Sequence, residues 1–344
     1  MRVGGHSTGN RFTLVDNPRE LHVFVVILID LITIKSPLIP NNMADNKRYV
    51  SVFEVRVRSL NPWTLPSCVL PVMLGTLLAW KSSNKFDAFI LVLCSLVIIG
   101  THAAGNFVSS YYEARTRRFY SSAIERYLTI QESARCAVVS YCIVIPTFAF
   151  LLVFSGANLW QELILFVVGF MSSVLFGNYL KNLALGELAV SAIYGPLCVM
   201  FAYAVQVGAT RELSTQLLAL YSLPLALNTE CLLHSQNIRS IKSDKERGAG
   251  TLAVLLGNHI AMTVFPLLLL SPHIVTSILG IYVSKYFFFP FLCLPLTMLA
   301  IPSNEQDVLV LPQKTSIVGI LFGVLYLLSF LYNGHVDIPF ALNR

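Results

Sequence analysis

The sequence predicts an all-α integral membrane protein with about nine transmembrane helices. Of its 344 residues, 55% are hydrophobic and only 12% are charged, and the mean hydropathy is +0.68. This composition is typical of polytopic helical membrane proteins and argues against a soluble domain with a large core. The hydrophobic residues also form runs of about 20 residues, the length that a helix needs to cross a bilayer.

The runs follow one another from Asn61 onwards, and each has the length of one membrane crossing or nearly so. They lie at about 64–81, 86–108, 135–155, 160–181, 187–208, 214–234, 250–271, 273–301 and 315–333. The connections are short except after the second, sixth and eighth runs. We therefore expect one helical membrane domain over residues 46–344.

Residues 1–45 form an N-terminal tail of uncertain status. Leu21–Ile34 is apolar, but it is short for a membrane crossing and contains Asp30. It lacks the small-residue cleavage site of a signal peptide, and Met43 begins a stretch that would itself make a natural start. We expect the tail to be dispensable for membrane insertion.

Lysine and arginine are concentrated on one side of the predicted bundle. The connections after the second and sixth runs carry many of them, whereas the opposite connections contain few. By the positive-inside rule, the side rich in lysine and arginine is cytosolic. We therefore expect the connections at 109–134 and 235–249 to face the cytosol together.

Two polar stretches on this cytosolic side follow the same pattern. After the second run, Asn106 and Glu113 stand seven residues apart; after the sixth, Asn237 and Asp244 do the same. Residues seven apart share one face of a helix, two turns from each other. Either stretch alone could be a solvated loop, but two copies in two halves of the chain indicate an internal repeat that builds one site.

The side chains of these stretches suit a magnesium–diphosphate complex. Magnesium takes one or two protein carboxylates and fills its remaining positions with water and phosphate oxygens, and lysine and arginine neutralise the remaining phosphate charge. The carboxylates are those of Glu113, Glu125 and Asp244, and the basic residues include Lys181, Arg239 and Lys242. Because the site lies at the mouth of an apolar bundle, the sequence favours a lipid substrate with a diphosphate head.

Other kinds of site are not indicated. The sequence has no nucleotide-binding loop, no Ser/His/Asp or thiolate/His set, and no pattern typical of nucleic-acid binding. The seven cysteines lie in or beside apolar runs without CxxC spacing, so we expect small buried thiols and neither disulfides nor zinc.

Several motifs carry a family resemblance. They are NPW at Asn61–Trp63, AGN at Ala104–Asn106, YYE at Tyr111–Glu113, ALGE at Ala184–Glu187 and the long stretch Gly195–Gly257. With these motifs the chain resembles the UbiA family of membrane prenyltransferases over about residues 50–333. Within the family it is most similar to the animal members that form menaquinone-4 (vitamin K2).

The resemblance implies a UbiA-type bundle of nine helices, with a central cavity open to the cytosolic side and two motifs that bind magnesium and a prenyl diphosphate. The metal ligands implied are Glu113, Glu125 and Asp244. The residues implied to contact the diphosphate are Asn106, Arg126, Lys181, Asn237, Arg239 and Lys242. The catalytic residues implied are Tyr111, Tyr112 and Asp244. It further implies transfer of a geranylgeranyl-type group to an aromatic quinone or naphthoquinone. The location would be the endoplasmic reticulum or Golgi, or else a mitochondrial membrane, with membrane-protein partners in sterol and isoprenoid metabolism.

The chain also departs from the family pattern. Ser240 stands where the second motif has its first aspartate, and Phe119 stands where the first motif has another acid. The alternative is therefore a catalytically lapsed member that acts as a lipid-responsive binding partner of other membrane proteins. Three further expectations concern single residues: Asp244 faces water, His234 is a helix cap or interface residue, and Glu230 is costly within an apolar run unless it is paired or functional.

Overall fold

The structure, a computed structural model, describes residues 56–57, 59–116, 128–176, 180, 186–208 and 213–333. These residues are helical or form turns and connections, and none of them is in a strand. The helices are α1 (Pro66–Ser83), α2 (Ala88–Thr116), α3 (Ile130–Phe154), α4 (Leu159–Phe176), α5 (Gly186–Val207), α6 (Thr215–Arg247), α7 (Leu252–Tyr282), α8 (Lys285–Leu299), α9 (Glu305–Leu309) and α10 (Leu311–Tyr332). A single 3₁₀ turn, Pro62–Thr64, precedes α1, and the first part of α8, Lys285–Cys293, is also a 3₁₀ helix.

The nine apolar runs correspond to nine of these helices, because only the short α9 has no counterpart among them. Within the described residues, seven helices are long and apolar enough to cross a membrane, and α4 and α8 are shorter apolar helices. One predicted boundary is wrong. The expected break near residue 272 does not occur, since α7 continues through Pro266 and Pro272 to Tyr282. Prolines are tolerated inside membrane helices where neighbouring groups satisfy the freed carbonyls.

Two helices extend well beyond their apolar runs. The second run ends near residue 108, but α2 continues to Thr116; the sixth ends near 234, but α6 continues to Arg247. The residues predicted at 235–249 as a connection are therefore mostly helical. Helix α6 ends where Gly248 adopts a left-handed conformation with φ of 73°, a frequent helix terminator because glycine has no Cβ to clash there.

Helix α1 lies in close contact with α5. A Cβ atom added to Gly75 would come within 2.5 Å of the Val199 carbonyl oxygen and 2.8 Å of the Ala202 Cβ. Small residues allow such close approach of backbones, which is a principal means of packing helices in membranes. Leu74 and Leu78 of α1 and Tyr203 of α5 belong to one buried core.

Helix α5 contains a wider turn. Ile193–Leu197, which includes Pro196, is a π-helical segment between the α-helical stretches Gly186–Ala192 and Cys198–Val207. At this point α5 also touches α6, since a Cβ on Gly195 would lie 2.5 Å from the Ala226 Cβ. A π turn holds one more residue than an α turn and changes which residues face a neighbour.

The prediction of buried thiols holds at five of the seven cysteines. All seven are unpaired; five are buried, but Cys136 is half-buried and Cys142 is exposed. The prediction of buried thiols is wrong at Cys142, because it lies on a face of α3 whose apolar neighbours, such as Ile143 and Ile145, are also exposed. That face is apolar and uncovered, as expected of a helix surface in contact with lipid.

Candidate functional site

The first motif is organised around Asn106 on α2. Its Nδ2 donates a hydrogen bond to the Leu60 carbonyl oxygen at 2.7 Å and lies 3.2 Å from Nε2 of His102, one turn earlier. His102 is buried, and its Nε2 lies 2.8 Å from the Thr64 hydroxyl, while its Nδ1 lies 2.8 Å from the Tyr194 hydroxyl. Asn106 is therefore anchored to the segment before α1 and, through His102, to α5.

The remaining described residues of the first motif lie along the last turns of α2. Tyr111 and Tyr112 are half-buried and stack edge to face, with ring centroids 5.2 Å apart. Glu113 is half-buried, and the Ser109 hydroxyl donates to its Oε1 at 3.5 Å. Asn106 and Glu113 occupy one helix, as the seven-residue spacing predicted.

The second motif is held by a buried carboxylate that the sequence reading did not assign to the site. Asn237 Nδ2 on α6 donates to Glu187 Oε1 at 2.6 Å. Glu187 Oε2 lies 3.1 Å from His234 Nδ1, and His234 Nε2 lies 3.1 Å from the Ala261 carbonyl oxygen. His234 is fully buried. The expectation of a cap or interface residue is wrong, because α6 continues three turns past it and α7 covers it.

Asp244 lies two turns after Asn237 on α6. Its side chain is 0% exposed, and the Ser240 hydroxyl donates a hydrogen bond to its Oδ2. The expectation that this carboxylate faces water is therefore wrong. A serine one turn away gives the buried carboxylate a partner, where a second aspartate would add a like charge.

The segment from Leu60 to Thr64 lies between the two motifs. Its Leu60 carbonyl binds Asn106 on one side, and the Trp63 ring on the other has the Arg239 guanidinium 5.9 Å from its centroid. Ser316 at the start of α10 donates to the Trp63 carbonyl oxygen at 2.7 Å. One short segment thus brings α2, α6 and α10 to the same end of the bundle.

Of the other predicted site residues, the structure describes only some. Lys242 is exposed at the end of α6, and Glu125, Arg126, Lys181 and Phe119 lie outside the described residues. Among the residues described, no group of three or more His, Cys, Asp or Glu side chains could by itself hold a metal ion.

The comparison with known families decides the identity of the bundle. The model of the UbiA prenyltransferase family matches residues 68–307. The chain belongs to the UbiA prenyltransferase family. Among known proteins, UbiA prenyltransferase domain-containing protein 1 of Mus musculus is 33% identical over 278 residues, 78% of this chain and 82% of the mouse protein.

Solved structures of UbiA homologues have the same fold. The apo structure of a UbiA homologue from Aeropyrum pernix K1 matches with a TM-score of 0.57 at 14% identity, over 78% of this chain and 96% of that one. A UbiA homologue from Archaeoglobus fulgidus bound to DMAPP and Mg²⁺ matches with a TM-score of 0.54 at 11% identity, over 79% and 99%. The predicted all-α membrane fold of the UbiA type is confirmed.

A small cavity lies between α1, α6 and α10 of this UbiA bundle. It is a partly open space of about 290 Å³, a volume that includes space open to solvent, and its lining mixes apolar residues such as Leu70 with Asn228, Thr229 and Ser316. Ser316 also contacts the Trp63 carbonyl, and Leu232, another lining residue, precedes Asn237 by five positions on α6. The cavity therefore lies near the Leu60–Thr64 segment that joins the two motifs.

His102, which lies beside Asn106, is expected to contribute to the stability of the fold. Replacing His102 by phenylalanine should lower the free energy of unfolding by about 1–2 kcal/mol, because buried hydroxyl and amide groups would lose a hydrogen-bond partner. Thermal unfolding of the purified protein in detergent measures the change. His259→Phe is the control, since His259 is exposed on α7. Equal melting temperatures for the two variants would contradict this role of His102.

Proposed function

We propose that this protein is a magnesium-dependent aromatic prenyltransferase. It would transfer a geranylgeranyl-type group from a prenyl diphosphate to an aromatic quinone or naphthoquinone acceptor, with a role in menaquinone-4 and ubiquinone biosynthesis. The acceptor class follows from the sequence resemblance to the family members that form menaquinone-4. The proposal includes a multi-pass location in the endoplasmic reticulum or Golgi, with a mitochondrial membrane as the alternative, and partners among membrane proteins of sterol and isoprenoid metabolism.

The orientation of the two asparagines is the observation that carries the proposal. In each motif the amide nitrogen donates to an acceptor inside the protein, the Leu60 carbonyl for Asn106 and the Glu187 carboxylate for Asn237. Within the described part of the chain, no hydrogen-bond donor contacts Oδ1 of either asparagine. Two neutral oxygens, one from each half of the bundle, are thus available to a ligand at the same end.

The donor set of this end fits magnesium in its chemistry. Amide oxygens of Asn106 and Asn237 and carboxylates of Glu113 and Asp244 are the hard oxygen ligands that magnesium takes. Because the described residues contain no complete protein cage, the ion would be held together with diphosphate oxygens. When bound, magnesium neutralises negative charge on the diphosphate as it leaves. The A. fulgidus homologue was solved with DMAPP or GPP and Mg²⁺, which supports a magnesium–diphosphate ligand for this protein.

The protein's own residues would perform three tasks. Arg239 and Lys242 bind the diphosphate, and the cavity below the motifs receives the start of the prenyl chain. The bond between the allylic carbon and the diphosphate oxygen breaks, and the diphosphate leaves with the electron pair. A ring carbon of the hydroquinone then attacks the allylic cation and loses its proton, while the Tyr111 and Tyr112 rings and the apolar helices shield the cation from water.

The test is diphosphate release by purified protein in lipid nanodiscs. With geranylgeranyl diphosphate, magnesium and menadione kept reduced, we expect release of diphosphate and formation of the prenylated naphthohydroquinone. Omitting menadione or chelating magnesium should abolish product formation. A protein that binds geranylgeranyl diphosphate but forms no product with any aromatic acceptor would contradict the proposal.

The second candidate, a lapsed family member that binds other membrane proteins, is favoured by Ser240 and Phe119. Ser240 stands where the second motif of the family has its first aspartate, and its hydroxyl donates a hydrogen bond to Asp244. If the protein is an enzyme, Ser240→Asp should lower the magnesium concentration that gives the half-maximal rate. If the parent is inactive while the double variant Ser240→Asp, Phe119→Asp gains turnover, the binding-partner function is correct.

A further inference from the structure

A buried polar cluster joins α5 to α6 beneath the second motif. Glu187, near the start of α5, is 6% exposed, and both of its carboxylate oxygens are within hydrogen-bond distance of α6 side chains. Oε1 accepts from Asn237 Nδ2 at 2.6 Å, and Oε2 lies 3.1 Å from His234 Nδ1. Both oxygens are thus engaged within the protein.

The partners of His234 determine where its protons lie. Nε2 faces the Ala261 carbonyl oxygen, which can only accept a hydrogen bond, so Nε2 carries a proton. Nδ1 faces a carboxylate oxygen, so a second proton lies between Nδ1 and Glu187. With that proton on the histidine, an imidazolium and a carboxylate form a pair with no net charge, which reduces the cost of burying either ion.

The same reasoning determines the orientation of Asn237. An ionised carboxylate only accepts hydrogen bonds, so the amide nitrogen of Asn237 must face Glu187. The amide oxygen is then directed away from Glu187. If residue 187 were neutral and carried its own donor, the amide could rotate by 180° and turn its nitrogen toward the ligand.

We infer that Glu187 is a positioning residue, which acts through Asn237 and, with His234 as its counter-ion, holds the Asn237 amide oxygen toward the magnesium–diphosphate head group. This inference rests on the proposed function, because it assumes that Asn237 contacts that ligand. It adds a third helix, α5, to a site that the motifs assign to α2 and α6. The role is distinct from that of Glu230, whose Oε2 accepts from Ser191 at 2.5 Å.

The experiment measures binding without turnover. The probe is geranylgeranyl thiolodiphosphate, a non-hydrolysable analogue, added with magnesium to purified protein in nanodiscs. We expect Glu187→Gln to weaken binding about tenfold or more, the range typical when a residue that orients a ligand group is lost. Glu230→Gln, the same change at the neighbouring buried carboxylate, should leave the Kd within about twofold. Unfolding of the ligand-free variants is measured in parallel.

A double-variant cycle separates positioning from a structural role. If Glu187 acts through Asn237, then Glu187→Gln should have no further effect on the Kd once Asn237→Ala is present. A loss that persists in the Asn237→Ala background would overturn the inference, and so would unchanged binding by Glu187→Gln alone. Should Glu187→Gln not fold, Glu187→Asp, which keeps the acceptor but shortens its reach, takes its place in the cycle.

Binding of the analogue by the parent protein separates a failure of the proposed function from a failure of the role inferred for Glu187. If the parent does not bind the analogue at all, the proposed function fails, and the inference about Glu187 fails with it. If the parent binds the analogue with magnesium but the cycle shows no coupling between Glu187 and Asn237, only the positioning role is wrong.

Discussion

Asp244→Ala is expected to lower the rate of prenyl transfer at least about a hundredfold. Losing one electrostatic stabiliser of a transition state costs about 2.7–4 kcal/mol, which corresponds to roughly that factor or more. The reason here is that Asp244 is the carboxylate of the second motif, and Ser240 cannot replace its charge. Steady-state rates of diphosphate release at saturating geranylgeranyl diphosphate and menadione measure the effect.

The buried position of Asp244 requires controls for folding. Because the side chain is fully buried and bonded to Ser240, alanine also removes the closer of the two acceptors of the serine hydroxyl, and only the Asn237 carbonyl oxygen at 3.4 Å is left. Asp244→Asn keeps the shape and an acceptor but removes the charge, so it should lose comparable activity with a smaller change in melting temperature. Glu246→Ala removes an exposed carboxylate from the same helix end and should stay within about twofold. Unchanged turnover by Asp244→Ala would refute the two-motif site.

Gly75→Ala is expected to lower the free energy of unfolding by about 3 kcal/mol, the upper part of the range for overpacking a tight interior. The added methyl would meet the Val199 carbonyl oxygen at 2.5 Å, and a backbone atom cannot move aside without shifting α5. Gly169→Ala is the matched control, because its new Cβ would have only an ordinary contact, 3.6 Å from a Leu197 methyl. Both changes add the same helix propensity, so the difference between their unfolding free energies isolates the close contact. Equal stabilities would mean that α1 and α5 can separate at no cost.

The fold could be predicted from the sequence because a bilayer imposes a length on each apolar run. That constraint explains why nine runs correspond to nine helices. It does not determine where helices end in water, and so α2 and α6 continue through polar residues that are compatible with helix. It also misplaces the break after α7, since Pro272 is accommodated within the helix.

The site could be predicted only where spacing along one helix defines it. Asn106 and Glu113, and likewise Asn237 and Asp244, share a helix as expected. The pairing of Glu187 with His234 and Asn237 joins residues 47 and 50 positions apart, and no local pattern indicates such a contact. A signal was present, however: Glu187, Glu230 and His234 are ionisable residues in or beside apolar runs, and such residues need partners in a membrane.

The π turn of α5 sets the rotation between two stretches of the same helix that contact different neighbours. The stretch before it carries Glu187 toward α6, and the stretch after it carries Val199 against α1. Tightening Ile193–Leu197 into a regular α-helix of the same length would turn one stretch relative to the other by about 100°, the angle per residue of an α-helix, because the wider turn absorbs one residue. Either the carboxylate or the apolar seam would then face the wrong neighbour. The width of this turn, more than the identity of its side chains, therefore lets Glu187 face α6 while Val199 packs against α1.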